Sequence, residues 1–188
     1  MATRARIGIE LKDRKILTSY CHYDGYLAGL GYNLVSNWMN YDKVLEAIQL
    51  GDASNWGQVI GEKHPFSVYD VDNKGMDPKE AHKLYDDEYG HMNTYYHRDR
   101  GESNVGPQTF DNEYQYLTFG DPAGEEFNYL FKSAPAFGPG EGMEWFYVER
   151  GAGMYHRGFQ LARYEAAKAN HKMMKRVEEL RLQGAFVG

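Results

Sequence analysis

The stretch Ser19–Asn33, SYCHYDGYLAGLGYN, constrains the fold more than any other part of the chain. It holds four tyrosines and three glycines in fifteen residues. Strand-prone residues run into a glycine-punctuated loop, Gly25-Tyr26-Leu27-Ala28-Gly29-Leu30-Gly31. Apolar residues at helical spacing follow: Leu34, Trp38, Tyr41, Leu45 and Ile48. The order predicted is therefore strand, tight reversal, helix. Asn40 or Asp42 is a candidate cap for a second short helix, and Gly51 a candidate stop.

The flanking segments supply a sheet. Arg6–Leu11 alternates, with Ile7, Ile9 and Leu11 on one face and Gly8 and Glu10 on the other, as in a half-buried strand. A polar turn, Lys12–Lys15, leads to a second strand over Ile16–Asp24, so the chain opens with a hairpin. Period-2 alternation points Tyr20, His22 and Asp24 to one side and Cys21 to the other, which argues against a Cys21–His22 dyad. Downstream, Phe66–Tyr69 and Thr94–Arg100 read as short strands, and Lys79–Tyr89 as a helix opened by Asp77-Pro78. Glu113–Phe119, Glu126–Phe131 and Glu144–Glu149 read as aromatic strands, the first two joined by Gly120–Gly124 as a hairpin. Gly151–Gly153 precedes a final helix with an alanine-rich stripe through Phe159, Ala162, Ala166, Ala169, Met173, Val177 and Leu180. The pattern predicts an α+β fold. Its antiparallel sheet would be formed from the N-terminal hairpin and C-terminal strands, with helices packed on one face. The expected division is an α+β domain over 1–153 and a C-terminal amphipathic helix over 154–188.

Composition narrows the class. Hydrophobic residues make up 42% and charged residues 26% of 188 positions, and 16 Tyr, 9 Phe and 3 Trp supply a core or an aromatic binding surface. A lone cysteine rules out an intrachain disulfide, and no stretch reaches the roughly 20 apolar residues of a membrane span, so a cytoplasmic protein with no membrane contact is expected. The net charge of −6 is uneven. His156–Gly188 carries seven Lys/Arg against three Glu, a net +4, and residues 1–155 carry −10. An acidic body and a basic tail are suited to different partners, or to each other.

Several clusters are candidates for function. The Gly25, Gly29, Gly31 loop is placed to offer backbone amides to an anion, although neither a Walker loop nor GxGxxG is present; the alternative is a chain reversal without a ligand. His22-x-Asp24 and His97-x-Asp99 have the spacing of metal ligands on strands, and equally of carboxylates that orient imidazoles; no metal and no cofactor is expected. Arg98 and Arg100 beside Tyr96 are suited to a phosphate or carboxylate, or to pairing with nearby acids. Asp70-x-Asp72-x-Lys74-Gly75 opens like a calcium loop, but Lys74 and Ala81 replace two of its ligands. Lys168, Lys172, Lys175 and Arg176 form a basic helical face able to meet nucleic acid or simply solvent. G-x-S-x-G, HExxH and CxxC motifs are absent.

Tyr20-Cys21-His22-Tyr23-Asp24-Gly25-Tyr26 with Gly29-Leu30-Gly31 resembles the YCHWDGYPxGxG signature of a family found in bacteriophages and prophage-bearing bacteria. Leu50–Ser54 (LGDAS), Tyr96–Glu102 (YHRDRGE) and Glu125–Phe131 (EEFNYLF) resemble its further blocks, so the likeness spans roughly residues 5–150. Leu27 stands where proline is common in that family, and Tyr32 where lysine often follows the loop. The resemblance implies a small phage-encoded accessory protein but brings no established activity.

Three readings follow. The first is non-catalytic binding to a host protein, in host takeover or anti-defence. The second is capture of a small nucleotide signal by Tyr20, His22, Asp24, the glycine loop, Tyr96, His97, Arg98, Asp99 and Arg100. The third is nucleic-acid binding through the tail. The C-terminal helix would also suit pairing with a second copy of the chain.

Overall fold

Arg6 and Glu10 lie on the strand whose alternation suggested one dry and one wet face, yet both are 4% exposed. The computed structural model, which describes residues 2–134 and 136–150 and the backbone of 167–169, shows why. Strand β1 (Ala5–Glu10) lies inside the sheet and is buried along its whole length. On one side it pairs antiparallel with β2 (Ile16–Cys21), Ala5 opposite Cys21 and Arg6 opposite Tyr20. On the other it pairs in parallel with β6 (Phe127–Ser133), Ile7 opposite Tyr129. The remaining strands are β3 (Ala53–Asn55), β4 (Thr94–Tyr95), β5 (Gln108–Phe110), β7 (Met143–Glu149) and β8 (Ala167–Ala169). Their order is β4-β3-β2-β1-β6-β7-β8, with β5 beside β2. The fold is α+β with an open, mixed sheet, so the N-terminal hairpin and the C-terminal strands do combine. They join through a parallel pair, not an antiparallel one.

Helices cover both faces, not one. A π-helical turn (Leu27–Gly31) runs directly into α1 (Tyr32–Asn37), and α2 (Tyr41–Gln49) follows, capped by the Asn40 side chain accepting from Lys43 N at 2.9 Å. These pack on the face formed by Ile7, Ile9, Tyr129, Phe131 and Trp145. Trp38 and Trp145 are buried there with their indole N–H groups satisfied by the carbonyls of Gly57 and Trp38. The opposite face carries a smaller core of Ile16, Phe110, Tyr116, Leu117, Leu130 and Val148 under α5 (Glu113–Phe119). There the Tyr116 hydroxyl lies 2.9 Å from the carbonyls of Arg6 and Tyr129, and its ring lies so close to Gly8 that a Cβ there would sit 3.0 Å away. Any larger residue at position 8 would overpack this contact.

The sequence reading of three segments is corrected. Glu113–Phe119 is a helix because Asn112 accepts from Gln115 N at 2.9 Å and caps it, overriding a strand-prone composition. Gly120–Gly124 therefore links a helix to β6. Thr94–Arg100 is strand only over Thr94–Tyr95 and then turns into α4 (Tyr96–Arg100), which ends at Gly101 with φ 73°. Val68–Asp70 is a single 3₁₀ turn, not a strand. Helix α3 (Pro78–Tyr89) forms as expected, with Asp77 as its cap. Apart from Ala169, the alanine-rich stripe lies outside the described residues, as do the basic residues Lys172, Lys175 and Arg176. Within the expected C-terminal helix, Ala167–Ala169 is instead a strand pairing antiparallel with β7, Phe146 opposite Lys168. Among the described residues no helix is long and apolar enough to cross a membrane.

Candidate functional site

Asp52, just before β3, ties three segments together. Its side chain accepts from Tyr20 N at 2.9 Å, its carbonyl from Tyr96 N at 3.1 Å, and its own N–H donates to Val105 O at 2.7 Å. Around this hub opens a cleft of about 420 Å³ lined by Arg4, Arg6, Tyr20, Asp52, Tyr96, Glu102, Val105 and Ala123. Sequence order separates these residues widely. Sheet order makes them neighbours, because Arg4 leads into β1, Tyr20 lies on β2, Asp52 leads into β3 and Tyr96 follows β4.

The charges of the cleft fall into two kinds. Arg6 is buried and committed: its Nε and Nη2 reach Glu125 Oε1 at 2.8 and 2.7 Å, and its Nη1 donates to Thr18 Oγ1 at 3.2 Å. Glu102 pairs with Arg100, whose guanidinium lies 4.1 Å over the Phe66 ring and 5.2 Å from that of Tyr96. Arg4 and Asp52 form no ion pair with a described residue. Arg4 is exposed and donates one hydrogen bond, to Ala123 O at 3.2 Å. Burial pushes the Asp52 carboxyl upward, while the bond from Tyr20 N and the nearby Arg6 charge act against that rise.

His22 adjoins the cleft through Tyr20. The Tyr20 hydroxyl and His22 Nδ1 are 2.7 Å apart, and the His22 ring meets Tyr23 edge-on at 4.5 Å. Burial, then the Arg4 charge, hold His22 below the ordinary histidine range. Asp24 does not share a strand face with it: β2 ends at Cys21, and Asp24 adopts φ 58° in the left-handed region.

The glycine loop is occupied by its own backbone. Gly25 N donates to Thr3 O (2.9 Å), Gly29 N to Tyr26 O (3.1 Å), Leu30 N to Asp24 O (2.8 Å) and Gly31 N to Tyr26 O (3.3 Å). Those amides are spent on the reversal, and a Cβ at Gly25 would lie 2.7 Å from Thr3 O. Gly25 and Gly29 are thus explained by close chain approach, a Cβ at Gly29 falling 2.6 Å from Asp24 O.

The second polar cluster is a knot around Asp99, whose side chain is fully buried. Asp99 Oδ1 accepts from His64 N (3.2 Å) and Arg98 Nε (2.9 Å); Oδ2 accepts from Tyr95 N (2.8 Å) and Arg98 Nη2 (3.1 Å). Arg98 also donates to the carbonyls of Ile60, Gly61 and Asn93. His64 lies stacked on Tyr89 at 5.3 Å with both ring nitrogens facing carbonyl oxygens, those of Pro65 and Asn93. His97 Nδ1 sits 2.7 Å from Glu102 O. The helical turn therefore sends Arg98 and Asp99 into this support and leaves Tyr96 and Arg100 on the cleft side. Among the described residues no group of three or more His, Cys, Asp or Glu is placed to hold a metal ion.

Of the expected site residues, Tyr20 and Tyr96 meet in one cleft, with His22 and Arg100 touching them. Arg4, Arg6, Asp52 and Glu102 were not singled out from the sequence. The available signal for Asp52 was its position after Gly51, whose φ of 90° and 2.4 Å Cβ approach to Val105 O require glycine. Lys168 belongs to β8, away from this cleft in strand order. No protein-family model, curated protein or solved structure matches the chain.

Proposed function

We propose that the protein acts by binding, and that a small ligand enters the cleft between Tyr20 and Tyr96. The observation that carries this reading is the convergence, around Asp52, of two half-buried tyrosines with an exposed arginine that has no ionic partner there. The volume lies in the range of small-molecule sites. The groups most suited to proton transfer are already committed: Asp99 to four donors, His64 to two carbonyls, His22 Nδ1 to Tyr20. That commitment favours recognition over catalysis. A thermal-shift screen of nucleotides, amino acids and sugars tests it. A ligand present at 100 times its Kd stabilises by about 2.7 kcal/mol, and Tyr96→Ala should abolish the shift. A screen without hits, or hits indifferent to Tyr96→Ala, would remove this site.

A second reading is docking of a host protein in the host cytoplasm, in keeping with the resemblance to a phage family. Its support is the outlying α3 region, where Leu84 on the helix is 50% exposed and Tyr69 in the preceding turn 86% exposed, and only Ala81 of the helix is buried. Affinity capture from host lysate with wild-type protein and a Tyr69→Ala/Leu84→Ala variant tests it. A stoichiometric partner retained by wild type and lost by the variant is expected, and equal capture by both would exclude this face.

A further inference from the structure

Among the described residues, the cleft has one charge of each sign without an ion-pair partner, on opposite sides of a tyrosine. Arg4 belongs to the β1 row and Asp52 to the β3 row, with Tyr20 on the strand between them. Two interstrand spacings separate their backbones, roughly 10 Å. Arg6 does not neutralise Asp52 by direct pairing, since its guanidinium is held by Glu125 and Thr18. Arg100 does not leave Glu102 free either. One oxygen of Asp52 takes Tyr20 N, and the other has no hydrogen-bond donor among the described residues.

Taking the cleft as a small-ligand site, we infer that its ligand is a nucleoside monophosphate, with the phosphate on Arg4 and a base N–H group on Asp52. Guanidinium donors suit phosphate oxygens, and a half-buried carboxylate suits base N–H donors. The tyrosines offer ring faces to a base. Charge spacing selects the class. The backbone ammonium and carboxylate of an α-amino acid are both attached to one carbon and cannot meet both groups without their collapsing together. In a nucleotide the sugar holds phosphate and base edge apart.

Titration calorimetry with the four ribonucleoside 5′-monophosphates, their four parent nucleosides, inorganic phosphate and phenylalanine tests the assignment. At least one monophosphate should bind. Its parent nucleoside should bind tenfold or more weakly, as expected for one charge-assisted contact. Arg4→Ala should weaken the monophosphate by a similar factor and leave the nucleoside unchanged; Arg4 is exposed, so this variant keeps its fold. Asp52→Asn should lower or redirect the base preference, with circular dichroism confirming the fold. Phenylalanine binding without nucleotide binding would overturn the inference while sparing the cleft. Nucleotide binding indifferent to both variants would overturn it too. Silence across the panel, together with no hit in the wider screen, would remove cleft and inference alike.

Discussion

The Tyr20 hydroxyl and His22 Nδ1 lie 2.7 Å apart, a hydrogen bond between the end of β2 and the residue just beyond it. The bond ties a ring just beyond the end of β2 to Tyr20 on the strand, with the Arg4 charge nearby. A pH dependence follows from its sign. His22 is held below its ordinary value of 6.5 by burial and by Arg4, so between the folded and unfolded values the unfolded chain binds more protons. This contribution to stability is fully present above about 6.5 and is lost as pH falls through the folded value. Urea unfolding at pH 7 and pH 5 should show wild type losing more stability on acidification than His22→Gln. Equal losses would mean that His22 does not report on folding.

The Asp99 knot should be a highly sensitive polar point of the described fold. Its carboxylate satisfies two backbone N–H groups and the Arg98 guanidinium with no exposure of its own. Asp99→Ala strands those donors and should cost about 3–5 kcal/mol in denaturant unfolding. Asp87→Ala, which breaks an exposed pair with Lys83, should leave the midpoint where it was. A small effect at Asp99 would show that water replaces the carboxylate readily.

Much of this fold was legible along the chain, and the failures have a common cause. The β1–β2 hairpin, the Asn40 and Asp77 caps and the aromatic strands β6 and β7 follow from local periodicity and capping chemistry. Burial of Arg6 and Glu10 does not, because it depends on β6 returning in parallel beside β1 and on α5 covering the second face. Short strands such as β3 and β5 have too few residues to show a period. The site behaves likewise: Tyr20 and Tyr96 stood out by composition, whereas Asp52 and Arg4 become visible only once the strand order brings them together.

Cys21 offers a test of packing that needs no ligand. It is buried in the main core, and burial lifts its thiol to about 12. The native protein should resist a thiol-reactive dye at pH 8 and react within minutes in 6 M guanidinium. Prompt labelling of the native state would mean that the β2 end opens readily, and with it one wall of the cleft.

Arg6 and Glu125 separate the stability of the cleft from its specificity. Their pair is almost wholly buried, at 5% and 0% side-chain exposure, and Glu125 also accepts from Ala123 N at 2.8 Å. Such a pair adds little over apolar packing, but either partner alone is an uncompensated buried charge. Arg6→Met and Glu125→Leu should therefore each destabilise by about 3–5 kcal/mol, and the double variant by clearly less than their sum, with a coupling of about 0.5–3 kcal/mol. Strict additivity in urea unfolding would mean that water already screens the pair. The Arg6 charge also holds the Asp52 carboxyl down against its burial. In the double variant the Asp52 carboxyl should take up its proton at a higher pH than in wild type, readable from its carboxyl carbon chemical shift. An unmoved Asp52 titration would mean that the two charges do not sense each other across the cleft floor.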